Sequence, residues 1–378
     1  MKLSMAAPAG AGPARTGGSL MDSVRFGIIG TAAIAVEKVI PSMLSAEGLE
    51  VVAIASRDLD RARAAATRFG IGRSYGSYDE ILADPEIEAV YIPLPNHLHV
   101  HWAIRAAEAG KHVLCEKPLA LDVEELSRLI DCRDRTGRRI QEAVMIRAHP
   151  QWDEIFDIVA SGEIGEVRAI QGVFTEINLY PKNIVNDASI GGGALYDLGV
   201  YPIAAARMVF GAEPERVFAV SDFDLVFGID RLTSAVLLFP GGRQATLVVS
   251  TQLALRHNVE IFGTRKSISL RNPFNPTPDD HCRIVLDNGS KLAAAAAETR
   301  RVAPADQYRL QAERFSAAIR SGSPLPIELE WSLETMKVLN AIGTLPLVLL
   351  RSMMTGACPG HQFGSASEGH LPLASEAK

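Results

Sequence analysis

Cysteine is scarce in this sequence, and the few cysteines that it has stand far apart. The 378 residues include four, at Cys115, Cys132, Cys282 and Cys358, and no two of them form a C-x-x-C pair. This spacing argues against a disulfide framework and a zinc site, and we expect no metal site. Four isolated thiols are typical of a reducing compartment, so we expect a cytoplasmic protein.

Long apolar runs and an excess of positive charge are also missing. No segment approaches the roughly 18 consecutive apolar residues of a membrane span, so we expect no membrane partner. The formal net charge is -6, the pI is about 5.9 and no run of lysine and arginine occurs, so nothing indicates a nucleic-acid partner. Residues 1–22 are rich in alanine, glycine and proline without an apolar run or a twin arginine. We therefore expect a disordered N-terminal extension and no secretory signal.

The sequence does have an ordinary globular composition, with 47% hydrophobic and 22% charged residues, over a length that suggests two domains. In its first part, short apolar runs such as VRFGII and LEVVAIAS alternate with helical stretches. Continuous apolarity is typical of strands that are covered on both faces. Asp58 and Ser77 stand where helix N-caps are expected. The pattern predicts an α/β Rossmann domain with a doubly wound parallel sheet over residues 23–145.

The second half changes to successive strand-like runs, separated by turn sequences such as PGG at 240–242 and DNG at 287–289. Short strands joined by such turns indicate antiparallel pairing. We predict an α+β C-terminal domain with a large, mostly antiparallel sheet over residues 146–345. We expect residues 346–378 to form a poorly ordered tail.

Two of these runs, LTSAVLLF and ATLVVST, are apolar at both alternating sets of positions. A sheet with one face in water would show polar residues at one set. Packing of one face on helices and of the other on a second subunit would explain the pattern. We therefore expect a homodimer or homotetramer formed through the C-terminal sheet.

A strand-to-helix turn after the first strand carries the sequence GTAAIA, and this is the context in which a G-x-G-x-x-G/A pattern binds a dinucleotide. Of the pattern's glycines only the first remains, with alanine at the other two positions. The alternative is an ordinary tight turn. On the dinucleotide interpretation, the backbone that cradles the pyrophosphate is that of Gly30, Thr31, Ala32, Ala33 and Ile34.

The residues after the second strand bear on which dinucleotide binds. Folds that bind NAD place an acidic residue there to hold both ribose hydroxyls, whereas this chain has Ser56-Arg57-Asp58. Arg57 with Ser56 can hold a 2′-phosphate through charge-assisted hydrogen bonds. A solvated arginine at the start of a helix is the alternative. We expect NADP as the cofactor, with NAD as the second choice.

The stretch AVYIPLPNHLHVHWAIRAAEAGKHVLCEKPLAL contains Glu116-Lys117-Pro118 at the end of the fifth strand. In order after it come HPQW, GEIGEVRAIQG, GGGALYDLGVYP, FPGG, NPF and DQYRLQAERFSAAI. This series resembles the glucose-fructose oxidoreductase / inositol dehydrogenase (Gfo/Idh/MocA) family, from about residue 24 to 342. Many members have histidine at the position of Tyr201. A tyrosine there resembles the branch that includes xylose dehydrogenase and dihydrodiol dehydrogenase.

The resemblance implies that the loop after the fourth strand lines the cofactor and that the Lys117–Pro118 peptide is cis. Two departures from the family pattern stand out. Relatives often have an arginine in the loop before the glycines, where this chain has Val185. The tail after about residue 344 also has no counterpart. The residues that the resemblance assigns to the cofactor are Leu94, Pro95, Asn96, His99, Glu116 and Lys117.

Transfer of a hydride to a nicotinamide requires a group that takes the alcohol proton. Lys117 follows a parallel strand at the edge where ligands bind, and desolvation there would lower its pKa and make it a base or proton relay. Asp197 and Tyr201 stand four residues apart and share one helix face. On the catalytic interpretation, Tyr201 exchanges the proton, the Lys117 ammonium eases its ionisation, and Asp197 holds Lys117 or a substrate hydroxyl. The alternative is a structural pair facing solvent. Pro202 would leave the Leu198 carbonyl unbonded and bend the helix.

Three more residues are candidate substrate ligands, namely Arg147, His149 and Tyr308. For Arg147 and His149 a structural role is an equally good interpretation.

We predict an NADP-preferring oxidoreductase that transfers a hydride between the nicotinamide and the CH–OH or carbonyl group of a sugar or polyol, with aldose oxidation as in D-xylose dehydrogenase as the favoured reaction. The alternatives are a glucose-fructose-oxidoreductase-like activity, a trans-dihydrodiol dehydrogenase and a non-catalytic cofactor-sensing regulator.

Overall fold

Six parallel strands form the first sheet of the computed structural model, which describes residues 23–291 and 297–344. They are β1 (Val24–Ile29), β2 (Leu49–Ala55), β3 (Arg73–Tyr75), β4 (Ala89–Ile92), β5 (His112–Cys115) and β6 (Ile140–Glu142). Their order is β3-β2-β1-β4-β5-β6, as a doubly wound sheet requires. The order reverses between β1 and β4, which places a crevice at the carboxyl ends of these two strands. The predicted Rossmann sheet is confirmed.

Five helices connect these strands, and the predicted N-caps start two of them. They are α1 (Ile40–Leu44), α2 (Leu59–Phe69), α3 (Tyr78–Ala83), α4 (His99–Glu108) and α5 (Val123–Thr136). The Asp58 carboxylate accepts hydrogen bonds from the backbone N–H groups of residues 60 and 61 at the start of α2. Ser77 accepts from the N–H of Glu80 at the start of α3. The π-helical segment Ala35–Val39 precedes α1.

Eight strands form the second sheet, which is antiparallel except where β10 pairs with β7. They are β7 (Val167–Ile177), β8 (Arg216–Phe223), β9 (Asp230–Phe239), β10 (Arg243–Ser250), β11 (Gln252–Gly263), β12 (Ser267–Arg271), β13 (Cys282–Asp287) and β14 (Glu298–Val302). Their order is β14-β13-β12-β11-β7-β10-β9-β8. The predicted large, mostly antiparallel sheet is therefore confirmed.

Four helices complete the described part of the second half: α6 (Pro150–Ala160), α7 (Val200–Phe210), α8 (Gln307–Ser321) and α9 (Leu329–Thr344). Helix α7 packs on β7, and α9 packs on α5 and α7. Helix α8 returns to the first sheet, where the ring of Phe315 lies 6.2 Å from that of Phe26 in β1. Arg133 of α5 pairs with Glu330 of α9 at 2.7 Å. The C-terminal helices thus tie the second half of the chain to the first sheet.

The second sheet has one covered face and one open face. Along β9 the buried residues alternate, from Thr233 to Phe239, and the residues between them are partly exposed. The open face carries apolar side chains, including Phe218 at 54% exposure and Val220 at 52%. Phe218 lies opposite Val236 in the strand register. The expected apolar second face is therefore present on the described chain.

Several local predictions need correction. The run RIQEAVMI is long enough to predict a single strand, but it forms β6 and then a 3-10 turn at Met145–Ala148. No strand-like run in the sequence marked β3, β7 or β14. Cys115, Cys132 and Cys282 are buried free thiols. Cys358 and the predicted terminal segments lie outside the described residues. Within the described ranges, none of the helices has the length and apolarity needed to cross a membrane.

Candidate active site

Two adjoining cavities follow the carboxyl edge of the first sheet. One, of about 500 Å³, is lined by the glycine turn, by Arg57 and by Tyr78. The other, of about 350 Å³, is lined by Lys117, Asp197 and further residues of both halves of the chain. They share three lining residues, namely Ala32, Pro93 and Leu94. They therefore form one continuous cleft at the crevice of the doubly wound sheet.

The turn after β1 has the geometry that a dinucleotide requires. Gly30 has φ +119°, and a Cβ there would stand 3.0 Å from Cδ2 of Leu94. Its N–H donates to the carbonyl of Ala55 at 2.9 Å, which holds the turn against β2. Ala32 lines both cavities, and helical structure begins directly after it. The N–H groups at a helix start favour a phosphate, so these residues fit the predicted cradle.

The outer cavity carries two arginines. Arg57 lies beside the hydroxyl of Tyr78, where its charge opposes the rise that burial produces in the tyrosine pKa. Arg61, one turn into α2, lines the same cavity and was not predicted. Arg57 precedes the N-cap of α2, so the spacing rule for residues on one helix does not connect the two arginines. Asp58 caps α2, so its Oδ1 is engaged with the helix backbone. Arginines rather than a free acid thus border this end of the cleft.

The loop after β4 has its predicted residues in or beside the cleft. Leu94 lines both cavities, and Pro95 lines the outer one. The Nδ2 of Asn96 donates to the carbonyl of Gly191 at 2.8 Å, which links the loop to the second half of the chain. His99 is fully buried, with its ring nitrogens 2.8 Å from the carbonyl oxygen of Pro118 and 2.6 Å from that of Leu94. This contact fixes the loop beside the residues that follow β5.

Lys117 and Asp197 meet in the inner cavity. The Lys117 Nζ donates to Oδ1 of Asp197 at 2.8 Å and to its backbone carbonyl at 2.6 Å. Burial opposes the charge on Lys117, but the Asp197 carboxylate outweighs it, so the pKa of Lys117 is raised. The predicted lowering of this pKa is therefore wrong, because the expectation counted desolvation without the carboxylate. Lys117 stays an ammonium, and its peptide bond to Pro118 is cis as expected.

Tyr201 lies beside this pair. The Lys117 Nζ is 5.2 Å from the centre of its ring, and its hydroxyl donates to Sδ of Met145 at 3.5 Å. The ring packs at 5.4 Å from that of Phe174. Burial, with the nearby carboxylates, raises the pKa of Tyr201 well above its ordinary value. Without a ligand, Tyr201 is therefore a phenol. We expected the Lys117 ammonium to favour the phenolate, but burial and the carboxylates determine the direction of the pKa shift.

A π-helical turn at Leu195–Gly199 carries Asp197 into α7. In such a turn each carbonyl faces the N–H five residues further on, which for Asp197 belongs to Pro202. Proline has no N–H, and the Asp197 carbonyl accepts from Lys117 instead. We expected the freed carbonyl to be that of Leu198, which the ordinary helical spacing would give. Because of the π turn, the carbonyl that lacks a backbone donor belongs to Asp197, one residue earlier, and it accepts from Lys117.

The glycines before this helix allow a close approach by a buried acid. Gly193 has φ +115°, and a Cβ there would lie against Oδ1 of Asp230. Oδ2 of Asp230 accepts from the N–H of Leu195 at 2.8 Å and from the hydroxyl of Thr233 at 2.8 Å. Burial is the main cause that raises the pKa of Asp230 to about 6. Asp230 thus positions the start of the helix that carries Asp197. This role of Asp230 was not predicted.

Glu116 and Tyr308 also line the inner cavity, as the sequence indicated. The hydroxyl of Tyr91 donates to Oε1 of Glu116 at 2.7 Å. Burial raises the pKa of Glu116 although this hydrogen bond opposes the rise. Burial also raises the pKa of Tyr308, and the neighbouring Tyr201 adds to the effect. Both residues are therefore placed to face a ligand in the cleft.

Arg147 and His149 have structural contacts instead of a place in this cavity lining. Arg147 lies 3.6 Å from the carboxylate of Asp153 and above the ring of Phe156. His149 is 1% exposed, and its Nδ1 accepts from the N–H of Gln151 at the start of α6. The contacts accord with the structural alternative for both residues. Their predicted substrate contacts have no support in this geometry.

Several lining residues of the inner cavity were missed. Glu176 belongs to β7, a strand that the sequence did not reveal. Phe174, on the same strand, was expected as a core residue with a pocket wall as the alternative, and it is buried and lines the cavity. Asn183 and Asn275 belong to loops, and no periodic pattern marks a loop residue as facing a cavity. Val185 lines the cavity where relatives often have arginine. Within residues 23–291 and 297–344, no group of three metal-ligating side chains occurs.

The fold and the cleft together define the class. A glycine turn at the crevice of a doubly wound sheet leads to a buried lysine, aspartate and tyrosine, and this is the arrangement of an NAD(P)-dependent oxidoreductase. The chain belongs to the GFO/IDH/MocA oxidoreductase family. Its residues 24–144 match the family's NAD-binding Rossmann fold, and residues 152–269 match the family's C-terminal domain.

Named relatives agree with this assignment. The chain is 97% identical over 322 residues to an uncharacterised oxidoreductase of Rhizobium meliloti, which covers 85% of this chain and 96% of that one. It is 35% identical over 318 residues to a D-xylose 1-dehydrogenase (NADP(+)) of Haloferax volcanii, covering 84% of this chain and 95% of that one.

A solved structure is also similar. A 3-ketoreductase from Actinomadura kijaniata, in complex with NADP and TDP-benzene, has a TM-score of 0.81 and 33% identity, covering 85% of this chain and 97% of that chain. Structures of variants of that enzyme replace a tyrosine and a lysine. Those two positions stand as far apart in that chain as Lys117 and Tyr201 stand here.

Proposed function

We propose that the protein is an NADP-preferring dehydrogenase that transfers a hydride between the cofactor and the CH–OH or carbonyl group of a sugar or polyol, with C1 oxidation of an aldose such as D-xylose as its favoured reaction. The observation that carries the proposal is the contact of Lys117 with Asp197 beside Tyr201, in a cleft continuous with the glycine turn. The similarity to an NADP-dependent xylose dehydrogenase supports the aldose.

The residues of the outer cavity fit the nucleotide. The backbone after Gly30 would hold the pyrophosphate, and Arg57 with Ser56 and Arg61 would hold a 2′-phosphate. When bound, NADP supplies the carbon that accepts or returns the hydride. The NADP seen with the similar ketoreductase supports this preference. The remaining chemistry is a proton transfer at the substrate oxygen.

The inner cavity supplies that proton transfer. Oxidation of CH–OH removes a hydride from carbon and a proton from oxygen, and reduction returns both. Tyr201, a phenol at neutral pH, donates its proton to the carbonyl oxygen in reduction and must be a phenolate to receive one in oxidation. The Lys117 ammonium, held by Asp197, stabilises negative charge on either oxygen. Oxidation should therefore accelerate with rising pH, and reduction should not.

Reduction of a keto sugar linked to a nucleotide is the second candidate, because the similar solved ketoreductase was crystallised with TDP-benzene. That enzyme is similar in fold to this chain, and the lysine and tyrosine replaced in its variants have the same separation in sequence as Lys117 and Tyr201. The two candidates differ in the charge that the inner cavity must accept, and a test of both substrate classes separates them.

Self-association through the open face of the second sheet is part of the proposal. Phe218 and Val220 are more than half exposed there. Val236 lies beside Phe218, and Val248 and Val173 extend the apolar surface across β10 and β7. Burial of such a face in a second subunit is favourable, and we propose a homodimer or homotetramer. The buried free thiols are compatible with a cytoplasmic location, which we retain as a proposal.

The test is a panel of aldoses and polyols offered with NADP or NAD, followed by the absorbance of the reduced cofactor. Tyr201→Phe and Lys117→Ala should each lower kcat by at least about a hundredfold, since each removes a group from the proton transfer. Cofactor binding, measured by calorimetry, should change little. Tyr180→Phe is the matched control, because Tyr180 is 63% exposed and lies outside the cavity lining. Full turnover in Tyr201→Phe would reject the mechanism.

A further inference from the structure

Glu176, near the end of β7, is a lining residue of the cavity that contains Lys117, Asp197 and Tyr201. It is half-buried. Among residues 23–291 and 297–344, no hydrogen bond or ion pair engages its carboxylate. Burial raises its pKa, and the negative charge of Asp197 adds to the rise. A carboxylate in such a place has acceptor positions that the protein leaves for a ligand.

The other charged side chains of the cavity lining already have partners. Lys117 is paired with Asp197 at 2.8 Å, and Glu116 accepts from the hydroxyl of Tyr91. Once the Lys117–Asp197 pair is set aside, the charged groups that remain in the lining are the carboxylates of Glu116 and Glu176. No arginine belongs to the described lining of this cavity. An anionic substituent that entered it would meet carboxylates at low dielectric.

We propose that Glu176 is a substrate-binding residue that accepts hydrogen bonds from hydroxyl groups of a neutral sugar or polyol and selects against substrates that place a carboxylate, phosphate or diphosphate in the inner cavity. The inference rests on the proposed function and narrows it. Hydroxyl groups supply the donors that the Glu176 carboxylate needs. The side-chain amides of Asn183 and Asn275 line the same cavity and suit hydroxyl groups as well.

The experiment compares D-glucose with D-glucuronate, which has the same C1 and a carboxylate in place of the C6 hydroxymethyl group, in the wild type, Glu176→Gln and Glu176→Ala. The wild type should prefer glucose in kcat/KM. Glu176→Ala should raise the KM for glucose at least about tenfold, the loss expected when a hydrogen bond to a charged group is removed. Glu176→Gln should narrow the preference for glucose over glucuronate by a similar factor, because it removes the charge and keeps the shape. The KM for NADP should stay constant.

Glu50→Gln is the matched control, since Glu50 is exposed on β2 and lies outside both cavities. Two results would overturn the inference: an unchanged glucose-to-glucuronate ratio in Glu176→Gln, or an altered KM for NADP with unchanged sugar KM, which would place Glu176 at the cofactor. Failure of the proposed function is a separate result, namely a wild type without turnover on any sugar. Calorimetric binding of the same two sugars to wild type and Glu176→Gln then still decides the role of Glu176.

Discussion

Replacement of Arg61 by alanine should weaken NADP binding and leave NAD binding unchanged. Arg61 lines the outer cavity together with Arg57. A hydrogen bond to a charged group contributes about 1.5–3 kcal/mol when it is sheltered. Arg61 is exposed, so solvent screening reduces this to about 1 kcal/mol, or a roughly fivefold weaker affinity for NADP. Removal of Arg57 as well should bring the loss to roughly thirtyfold, if each arginine contributes a similar amount.

Calorimetric titration of each variant with NADP and with NAD measures the effect without knowledge of the substrate. Arg63→Ala is the matched control, because Arg63 lies on the same helix and pairs with Asp60 at 3.4 Å, outside the outer cavity. The reasoning predicts a loss for NADP alone, in Arg61→Ala and not in Arg63→Ala. An equal loss for both cofactors would refute a contact with the 2′-phosphate, as would an equal loss in the control.

Three further predictions follow from other parts of the chain. Asp197→Asn should lower the pKa of Lys117, because burial already lowers it and the carboxylate that contributes most to the opposing rise is removed. The pH–rate profile should therefore change while NADP affinity stays constant, and an unchanged profile would contradict the pairing. Folded Asp230, with its pKa raised to about 6 from 3.8, holds a proton that the unfolded chain has already lost. The stability from this proton is lost as the pH rises from about 4 to 6. The melting temperature of the wild type should therefore fall over that range relative to that of Asp230→Asn. Parallel curves of melting temperature against pH for the two proteins would exclude the effect. Phe218→Glu should dissociate the proposed oligomer in sedimentation experiments, whereas Leu44→Glu, at a residue of 45% exposure on α1, should not; an oligomer in both variants would place the interface elsewhere.

The first sheet was predictable because its signals are local. Strands β1, β2, β4 and β5 are short apolar runs, whereas β3 reads RSY and β6 reads IQE. Helices start at capping residues such as Asp58 and Ser77, which make the expected hydrogen bonds. The turn at Gly30 follows the same logic, since one glycine with a positive φ stands between strand and helix. The order of strands then follows from the general rules for alternating strands and helices.

The middle of the second sheet was not predictable in this way. Strand β7 reads VRAIQGVFTEI, in which Gly172 and scattered polar residues break the alternation that identifies a strand. Its neighbours β10 and β11 come more than sixty residues later in the chain, so no tight turn in the sequence indicates that they pair with it. Because Glu176 lies on this strand, the cavity's unpaired carboxylate was missed together with it. Spacing did find Asp197 and Tyr201, because four residues on one helix is a local relation.

The sign of the pKa shift of Lys117 required coordinates for a different reason. Desolvation can be anticipated from a strand end at a crevice, but the opposing charge depends on where a second helix points its Asp197. That direction results from three separate features: the acid Asp230 at the helix start, the π turn, and the missing N–H of Pro202. Together they direct two oxygens of one residue, the backbone carbonyl oxygen and one carboxylate oxygen, towards a single ammonium. The helix is therefore built irregularly at the point where the proposed chemistry needs a fixed cation, and a regular helix would have used that carbonyl for itself.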